Sequence, residues 1–339
     1  MKGRRWRQKI SIWRLQMRKF LIQLLVITTL ILAGGTASAE DWPTKPIKMV
    51  LPGSPGGSPD RVTRMIGDRL SKMWGVPVIV ENRPGASTRI AAEYVVHSPP
   101  DGYTLLSTFG SHTMAKVLYP ETKYDPVQSF EPVAHVVDAE VVFVVRSDSP
   151  YQTFADLVAD AKKSKKPVSY GHFGIGSSFH FFGLMLGRDA GFPVLPVAYR
   201  GESLSLTDLL GGQIDSSFIS VGTALPYIQT GKVRALGILL PSRSSLLPSV
   251  PTFPELGYKQ LSGDSGWFGL LAPAHTPKAI VDKFSAAINS ILKDPEVIKS
   301  LRDQGLAPVT STPEGFAKIL RDDLQKSESM AKEFDVKGL

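Results

Sequence analysis

From residue 47 to residue 239 short apolar runs alternate with stretches of helical spacing, joined by turns rich in glycine, proline and serine, and this alternation narrows the fold more than any other feature. The run IKMV at 47–50 enters LPGSPGGSPD at 51–60, after which Val62, Met65, Ile66, Leu70 and Met73 recur at helical spacing. VPVIV at 76–80 predicts a second strand. Ile90, Ala91, Tyr94 and Val95 predict a helix over 90–96, and a third strand is expected at 103–106, after Pro99-Pro100-Asp101-Gly102. Such βαβαβ units form parallel sheets with right-handed crossovers, and their ligands sit beyond the carboxyl ends of the strands. A second set follows, with strands at 141–145, 167–170, 194–197, 214–219 and 233–239 and helices at 154–162, 179–186, 204–210 and 224–229. After WFGLL at 267–271 come helices at 277–292, 295–304 and from 313 onward, each with Thr or Asp just before a proline. The expectation is two α/β lobes with a helical tail that packs back on the first.

The first 39 residues stand apart. Lys2, Arg4, Arg5, Arg7, Lys9, Arg14, Arg18 and Lys19 occur there without an acid, followed by the apolar run 20–33 and the small-x-small pattern Ala37-Ser38-Ala39. A cleavable secretory signal peptide over 1–39 is expected, with cleavage near Ala39 and Met17 a second candidate for the initiator. The apolar run is shorter than the roughly 20 residues of a bilayer span, which favours a leader over a retained anchor. Arg4-Arg5 is followed by WRQK, without the apolar pair of a twin-arginine signal. The chain has 39 Lys and Arg against 31 Asp and Glu, and the whole excess of eight lies in the leader. The exported part is formally neutral, so no nucleic-acid partner is expected. It has no cysteine, so core packing and not disulfides must hold it together.

The turns carry the candidate chemistry. Ser58 is expected to cap the first helix with Pro59 at its first position, while Gly56 and Gly57 let the chain turn with N–H groups outward, toward an anion at the positive end of the helix. A tight turn without ligand is the other reading, and Asp60 favours it by answering part of the helix dipole. No GxxxxGK[ST] is present, which excludes a nucleotide P-loop. In PGASTR at 84–89, Ser87 or Thr88 is a candidate cap, and Arg89 is either a charged donor for a carboxylate or phosphate or a solvated surface residue. GIGSSFH at 174–180 begins like GxGxxG, but Phe179 fills the third glycine position and no acid for a ribose follows at the required distance, so no dinucleotide is expected. Ser177 and Ser178 remain as hydroxyls at a helix start. His180 is expected in the core or behind the site, since no other His, Asp or Glu lies at ligand spacing beside it. No metal and no cofactor are expected.

Gly263-Asp264-Ser265-Gly266 matches the surroundings of a trypsin-like serine, yet that chemistry needs an oriented His and Asp in an all-β scaffold. GxSxG, CxxC and HExxH are absent, so no catalytic set is identifiable.

WPTKPIKMVLPGSPGGSPD, VENRPGAS, SPPDGYTLL, KYDPVQSFEPVA, SYGHFGIGSSFH, VAYRGES, DLLGGQID, GKVRALGI, VPTFPELGY and WFGLLAPAHTPKAIVDK occur in this order. Together they resemble the tripartite tricarboxylate transporter receptors, also called Bug receptors, over essentially the whole exported chain. The resemblance implies a type II periplasmic binding protein fold with the ligand in the interlobe cleft, no enzymatic activity, and a small organic carboxylate delivered to membrane transporter subunits. It implies a monomer with lobe one at 40–142 and 267–339 and lobe two at 143–266, closing about crossovers near residues 142–146 and 265–269. Carried over, it places Gly53, Ser54, Gly56, Gly57, Ser58 and Asp60, with Ser87, Thr88 and Arg89, on one wall. Ser177, Ser178 and His180, with Ser220, Gly222 and Thr223, form the other. Ser54-Pro55 and Ser87-Thr88-Arg89 depart from the small residues usual in the family's two loops. If Arg89 faces the cleft, the ligand carries an additional negative charge. Phe109, Phe173, Phe179 and Tyr199, near loop ends, are candidates for an apolar lining. A ligand sensor for a signalling partner, and an exported hydrolase resting on the serine-rich loops, are the alternative readings.

Overall fold

The computed structural model describes residues 42–199, 201–261 and 266–336. The leader expected over 1–39 and the residues Gly263, Asp264 and Ser265 lie outside them. Strands β1 (Ile47–Leu51), β2 (Val78–Asn82) and β3 (Thr104–Phe109) pair in parallel. Their crossovers are helices α1 (Ser58–Trp74) and α2 (Arg89–Val96). Helix α1 buries Val62, Ile66 and Leu70 and leaves Met73 exposed at its end. Strand β10 (Gly266–Pro273) runs antiparallel to β3, and β4 (Phe130–Ala139) and β11 (Leu306–Pro308) complete the order β2-β1-β3-β10-β4-β11.

Two elements here escape the sequence pattern. FEPVAHVVDA of β4 contains Pro132, which sits opposite Leu271 beside a break in the register, where a missing N–H is tolerated. Helix α3 (Ser111–Leu118) is polar in composition, yet it buries Ser111, His112 and Thr113 as fully as Met114 and Ala115.

The second sheet has the order β7-β6-β8-β5-β9. Its strands are β5 (Val141–Arg146), β6 (Val168–His172), β7 (Val194–Ala198), β8 (Ser216–Ser220) and β9 (Val233–Ile238). Strand β6 is parallel to β7 and β8, and β5 is antiparallel to β8 and β9. Helices α4 (Phe154–Ser164), α5 (Ser178–Ala190), α6 (Glu202–Leu210) and α7 (Val221–Gln229) cover it. Both sheets thus place three parallel strands in the order second, first, third, then one strand from the other half of the chain. The continuous run VVFVV is buried on both faces: Phe143 packs with Phe179, Phe218 and Phe253 on one, and Val142 and Val144 with Leu209 and Ile219 on the other.

The first crossover is a single residue. Glu140 separates β4 from β5, its N–H donates to the Gly305 carbonyl (3.0 Å), and its carbonyl accepts from the Val221 N–H (2.8 Å). Of the residues near which a crossover was expected, 142–145 are interior positions of β5 and Arg146 ends it, so the chain passes between the sheets just before them. The return crossover precedes Gly266, which already pairs with Ala139 in the first sheet. In the tail, α8 (Lys278–Ile291), α9 (Pro295–Arg302) and α10 (Pro313–Glu333) pack beside β4 and β11. Asp294 and Thr312 cap α9 and α10, but Thr276 donates to the Pro273 carbonyl and Pro277 stands at the cap of α8. The tail reaches further than expected: Met114, Leu118, Phe181 and Ala331 form a small core in which the end of α10 meets both α3 and α5.

Candidate functional site

Strands β1, β2, β3, β6, β7 and β8 each end in a turn that starts a helix, so the N-termini of α1, α2 and α3 face those of α5, α6 and α7 across the crevice between the sheets. Each start leaves backbone N–H groups without intrahelical partners and adds a partial positive charge. Only α1 and α6 have an acid in the first turn, Asp60 and Glu202; α2, α3, α5 and α7 have none.

The turns touch across the crevice. The Ser87 hydroxyl donates to the Ile175 carbonyl at 3.1 Å, and the rings of Phe109 and Phe173 meet edge to face at 6.3 Å. A Cβ on Gly110 would lie 3.3 Å from the Ser178 hydroxyl, and one on Gly176 2.4 Å from Met114. A Cβ on Gly222 would fall 1.9 Å from the Gln304 carbonyl oxygen, backbone against backbone, so Gly222 is a point of contact between lobes and not an open ligand surface.

The turn after β1 differs from the expected cap. Gly57, not Ser58, is the N-cap of α1, and no side chain caps it. Asp60 is 4% exposed and fully engaged: it accepts from the Gly56 N–H (3.0 Å), from Asn82 (2.9 Å) and from Arg64 (2.9 and 3.0 Å). Burial alone would raise its pKa, but Arg64, the Gly56 N–H and Asn82 together hold it below the usual value. Asp60 therefore braces the turn, and the Gly56 N–H is spent on it. Asn82 also donates to the Gly53 carbonyl (2.9 Å), Ser58 accepts from Arg61 (3.1 Å), and Ser54 is exposed at the tip. The Gly57 and Ser58 N–H groups at the start of α1 are among those that no intrahelical carbonyl satisfies.

The turn after β2 is strained. Ala86, Ser87 and Thr88 have φ of 45°, 46° and 78°, a run that costs non-glycine residues of order 1 kcal/mol or more each and is characteristic of binding sites. Thr88 is 3% exposed, and its hydroxyl has no hydrogen-bond partner among the described residues. Arg89 does not face the crevice. Its guanidinium pairs with Glu121 (2.7 Å), lies 3.9 Å from Glu93 and stacks on Tyr119.

On the second lobe Ser177 caps α5 by accepting from the His180 N–H (3.2 Å), and Ser178 is half-buried opposite Gly110. His180 accepts the Gly176 N–H on Nδ1 (3.1 Å) and stacks at 4.6 Å on His172, which the sequence reading missed. Burial pushes the His180 pKa down to about 4; burial and then the neighbouring His180 push that of His172 down to about 3. Both are neutral supports of the loop. Phe179 belongs to the core and Tyr199 donates to Asp208 (2.8 Å), while Phe109 and Phe173 are the half-buried pair where the turns meet.

Ser220 ends β8 at the N-cap position of α7 without a side-chain cap bond, and its hydroxyl donates instead to Glu202 (2.6 Å) with Thr223 at 3.0 Å. Glu202 was legible only as the acid of VAYRGES; burial raises its pKa, against the hydrogen bonds of Ser220 and Thr223 and the charge of Arg61. Arg61 belongs to the other lobe and bonds to the Gly56 carbonyl (2.8 Å), Ser58 and Gln304 (2.9 Å). No group of three or more His, Asp and Glu side chains among the described residues could hold a metal ion. A surface groove of about 530 Å³ between α3 and α10, lined by Lys116, Val117 and Ala331, lies away from the strand ends and gathers no helix starts.

Residues 62–336 match the model of the tripartite tricarboxylate transporter family receptor. The structure is similar to the periplasmic binding protein BugD, with a TM-score of 0.81 and 31% identity over 88% of this chain and 100% of that one. It is similar to MatC (Rpa3494) from Rhodopseudomonas palustris with bound malate, with a TM-score of 0.78 and 30% identity over 85% and 99% of the two chains. R. palustris Rpa4515 with adipate gives a TM-score of 0.83 at 27% identity, over 88% and 100%. The fold is that of the two-lobed periplasmic binding proteins, and the chain belongs to the tripartite tricarboxylate transporter receptors, a family of periplasmic solute-binding receptors.

Proposed function

We propose that this chain is exported to the periplasm by its leader, captures a small organic carboxylate between the two lobes, and presents the closed form to a tripartite tricarboxylate-type membrane transporter. The observation that carries the reading is the set of acid-free helix starts, α2 and α3 against α5, at the place where the turns of the two lobes meet, with the buried Thr88 hydroxyl there lacking a partner among the described residues. The relatives bound to malate and adipate support a carboxylate as the ligand. The Gly57 and Ser58 N–H groups, with Ser87 and Thr88, are assigned to one wall, and Ser177 and Ser178 to the other. The lobes are taken to divide at Glu140 and within 239–265, and the receptor to act as a monomer. A ligand that binds the closed form better than the open one shifts the population toward closure, and the transporter reads that shift.

The test is mass spectrometry of the acid that copurifies with the leaderless protein, followed by a thermal-shift screen of organic acids on stripped protein. An acid at a hundred times its Kd adds about 2.7 kcal/mol of stability. The acid must return chemically unchanged. No shift with any acid overturns the reading, and conversion of the acid turns it toward a hydrolase.

A further inference from the structure

We propose that the Trp267 indole N–H is a ligand donor of the crevice: it gives a hydrogen bond to one carboxylate oxygen of the bound acid, in the space that Gly110 leaves open at the start of α3. The inference rests on the reading of the crevice as a carboxylate receptor.

Trp267 is the second residue of β10, and it is 5% exposed. Its ring shares a core with Ala91, Ala92 and Val95 of α2 and meets Phe316 edge to face at 5.4 Å, contacts that fix the direction of the indole. Its Nε1 has no hydrogen-bond partner among the described residues. An indole N–H can only donate, and buried donors are paired as a rule, so this group calls for an acceptor. The place it reaches lies between the lobes. A Cβ on Gly110 would be 3.6 Å from Trp267 Nε1 and 3.3 Å from the Ser178 hydroxyl, so one point beside Gly110 has an indole N–H of lobe one and a hydroxyl of lobe two within reach. Gly110 has φ −45° and ψ −30°, ordinary helical values, so its backbone does not call for glycine; the missing side chain keeps this space clear.

Gly110 is also the N-cap of α3, which has no side-chain cap and no acid in its first turn, so unpaired N–H groups and the partial positive charge of the helix act on the same place. The buried Thr88 hydroxyl, likewise without a partner among the described residues, stands at the N-cap of α2 in the turn that packs beside α3. Donors of both lobes thus meet at the start of α3. The arrangement suits a carboxylate oxygen, because a hydrogen bond to an ionised acceptor is stronger than one to a neutral acceptor.

The test follows the indole itself. Leaderless protein keeps Trp42, Trp74 and Trp267, and with 15N-labelled indoles the W267F variant identifies the Trp267 signal. Stripped protein is titrated with succinate, malate, adipate and phthalate, and calorimetric Kd values are compared among the wild type, W267F and G110A. With an acid that binds, the Trp267 indole proton is expected to move downfield at saturation while those of Trp42 and Trp74 stay in place. W267F should weaken that acid about tenfold or more, the loss of one hydrogen bond to a charged group. G110A should do the same, because its methyl fills the space of the ligand oxygen on a backbone that accepts it. An unmoved Trp267 signal at saturation overturns the proposal and assigns the indole to a buried water, and unchanged affinity in either variant overturns it as well. Failure of every acid to bind the wild type overturns the receptor reading itself, a separate result because it appears without any substitution. If W267F fails to fold, W42F and W74F assign the signal by elimination and G110A carries the affinity test.

Discussion

The two lobes bring the same three strand-to-helix turns to the crevice and stabilise them in opposite ways. Lobe one uses charges that cancel locally: Asp60 with Arg64 and Asn82 in the first turn, and Arg89 with Glu121 beside the second. Lobe two uses neutral groups: the stacked His172 and His180, the Ser177 cap, and the Ser220 and Thr223 hydroxyls around the Glu202 carboxylate. An acid at a helix start is therefore not one kind of feature. Asp60 shapes its loop together with its own cation, whereas Glu202 joins two turns through hydroxyls.

The sharpest break of this contrast is the pair D60N and E202Q, compared by chemical denaturation. Asp60 is buried and multiply bonded, so loss of its charge strands Arg64 and slackens the turn, at a cost of about 2 kcal/mol. Glu202 has a raised folded pKa, so its contribution is lost as pH rises through the carboxylate range, and at pH 7 the amide should be neutral or stabilising. Equal losses in both variants would erase the distinction.

Gly222 tests whether the lobes must meet. Its Cβ position coincides with the Gln304 backbone, which cannot move aside as a side chain would, so G222A holds the lobes apart. Affinity for the native acid should fall tenfold or more, about 1.4 kcal/mol, while the denaturation midpoint moves less. Undiminished affinity would mean that this contact is not part of the bound form.

Acid loads the two lobes in the same direction but unequally. His172 and His180 are depressed to about 3 and about 4, so the unfolded chain binds more protons below pH 6.5, and stability falls as pH drops from there. Each costs about 1.4 kcal/mol per pH unit in that window. Lobe one has His112 in the same position, also near 4, so its slope should be about half. The Asp60 contribution survives until pH falls below the normal carboxylate pKa, since its own is lowered. Hydrogen exchange at pH 5 should show the turn around residues 172–180 opening before that around 51–60.

The fold was legible because strand and helix periods alternate cleanly where both faces of a strand are buried, as in VVFVV. It failed where local sequence and tertiary burial disagree: β4 tolerates Pro132 at an irregular register, and α3 buries hydroxyls and a histidine. For the site, position was readable from the Gly-Ser turns, since strand ends and helix starts follow from periodicity. Orientation was not. Asp60, Arg89 and Glu202 are each an acid or a base at a helix start, and only long-range partners separate them: Asn82 for Asp60, Glu121 for Arg89, Ser220 for Glu202. His172 was hidden because its role comes from stacking on a residue eight positions later in another element.

Arg89 gives the smallest and most discriminating prediction. The sequence left open a guanidinium aimed at the ligand; in the fold it spans Glu121 and Glu93 and lies 4.7 Å over the Tyr119 ring. Glu121 is largely exposed, so the pair is screened by solvent, and R89A should cost no more than about 0.5–1 kcal/mol of stability, most of it from packing on Tyr119. Affinity for the native acid should be unchanged. A loss of affinity without a matching loss of stability would mean that Arg89 leaves Glu121 when the ligand enters. Lobe one would then supply a mobile charge to the site, and its charges would no longer be purely structural.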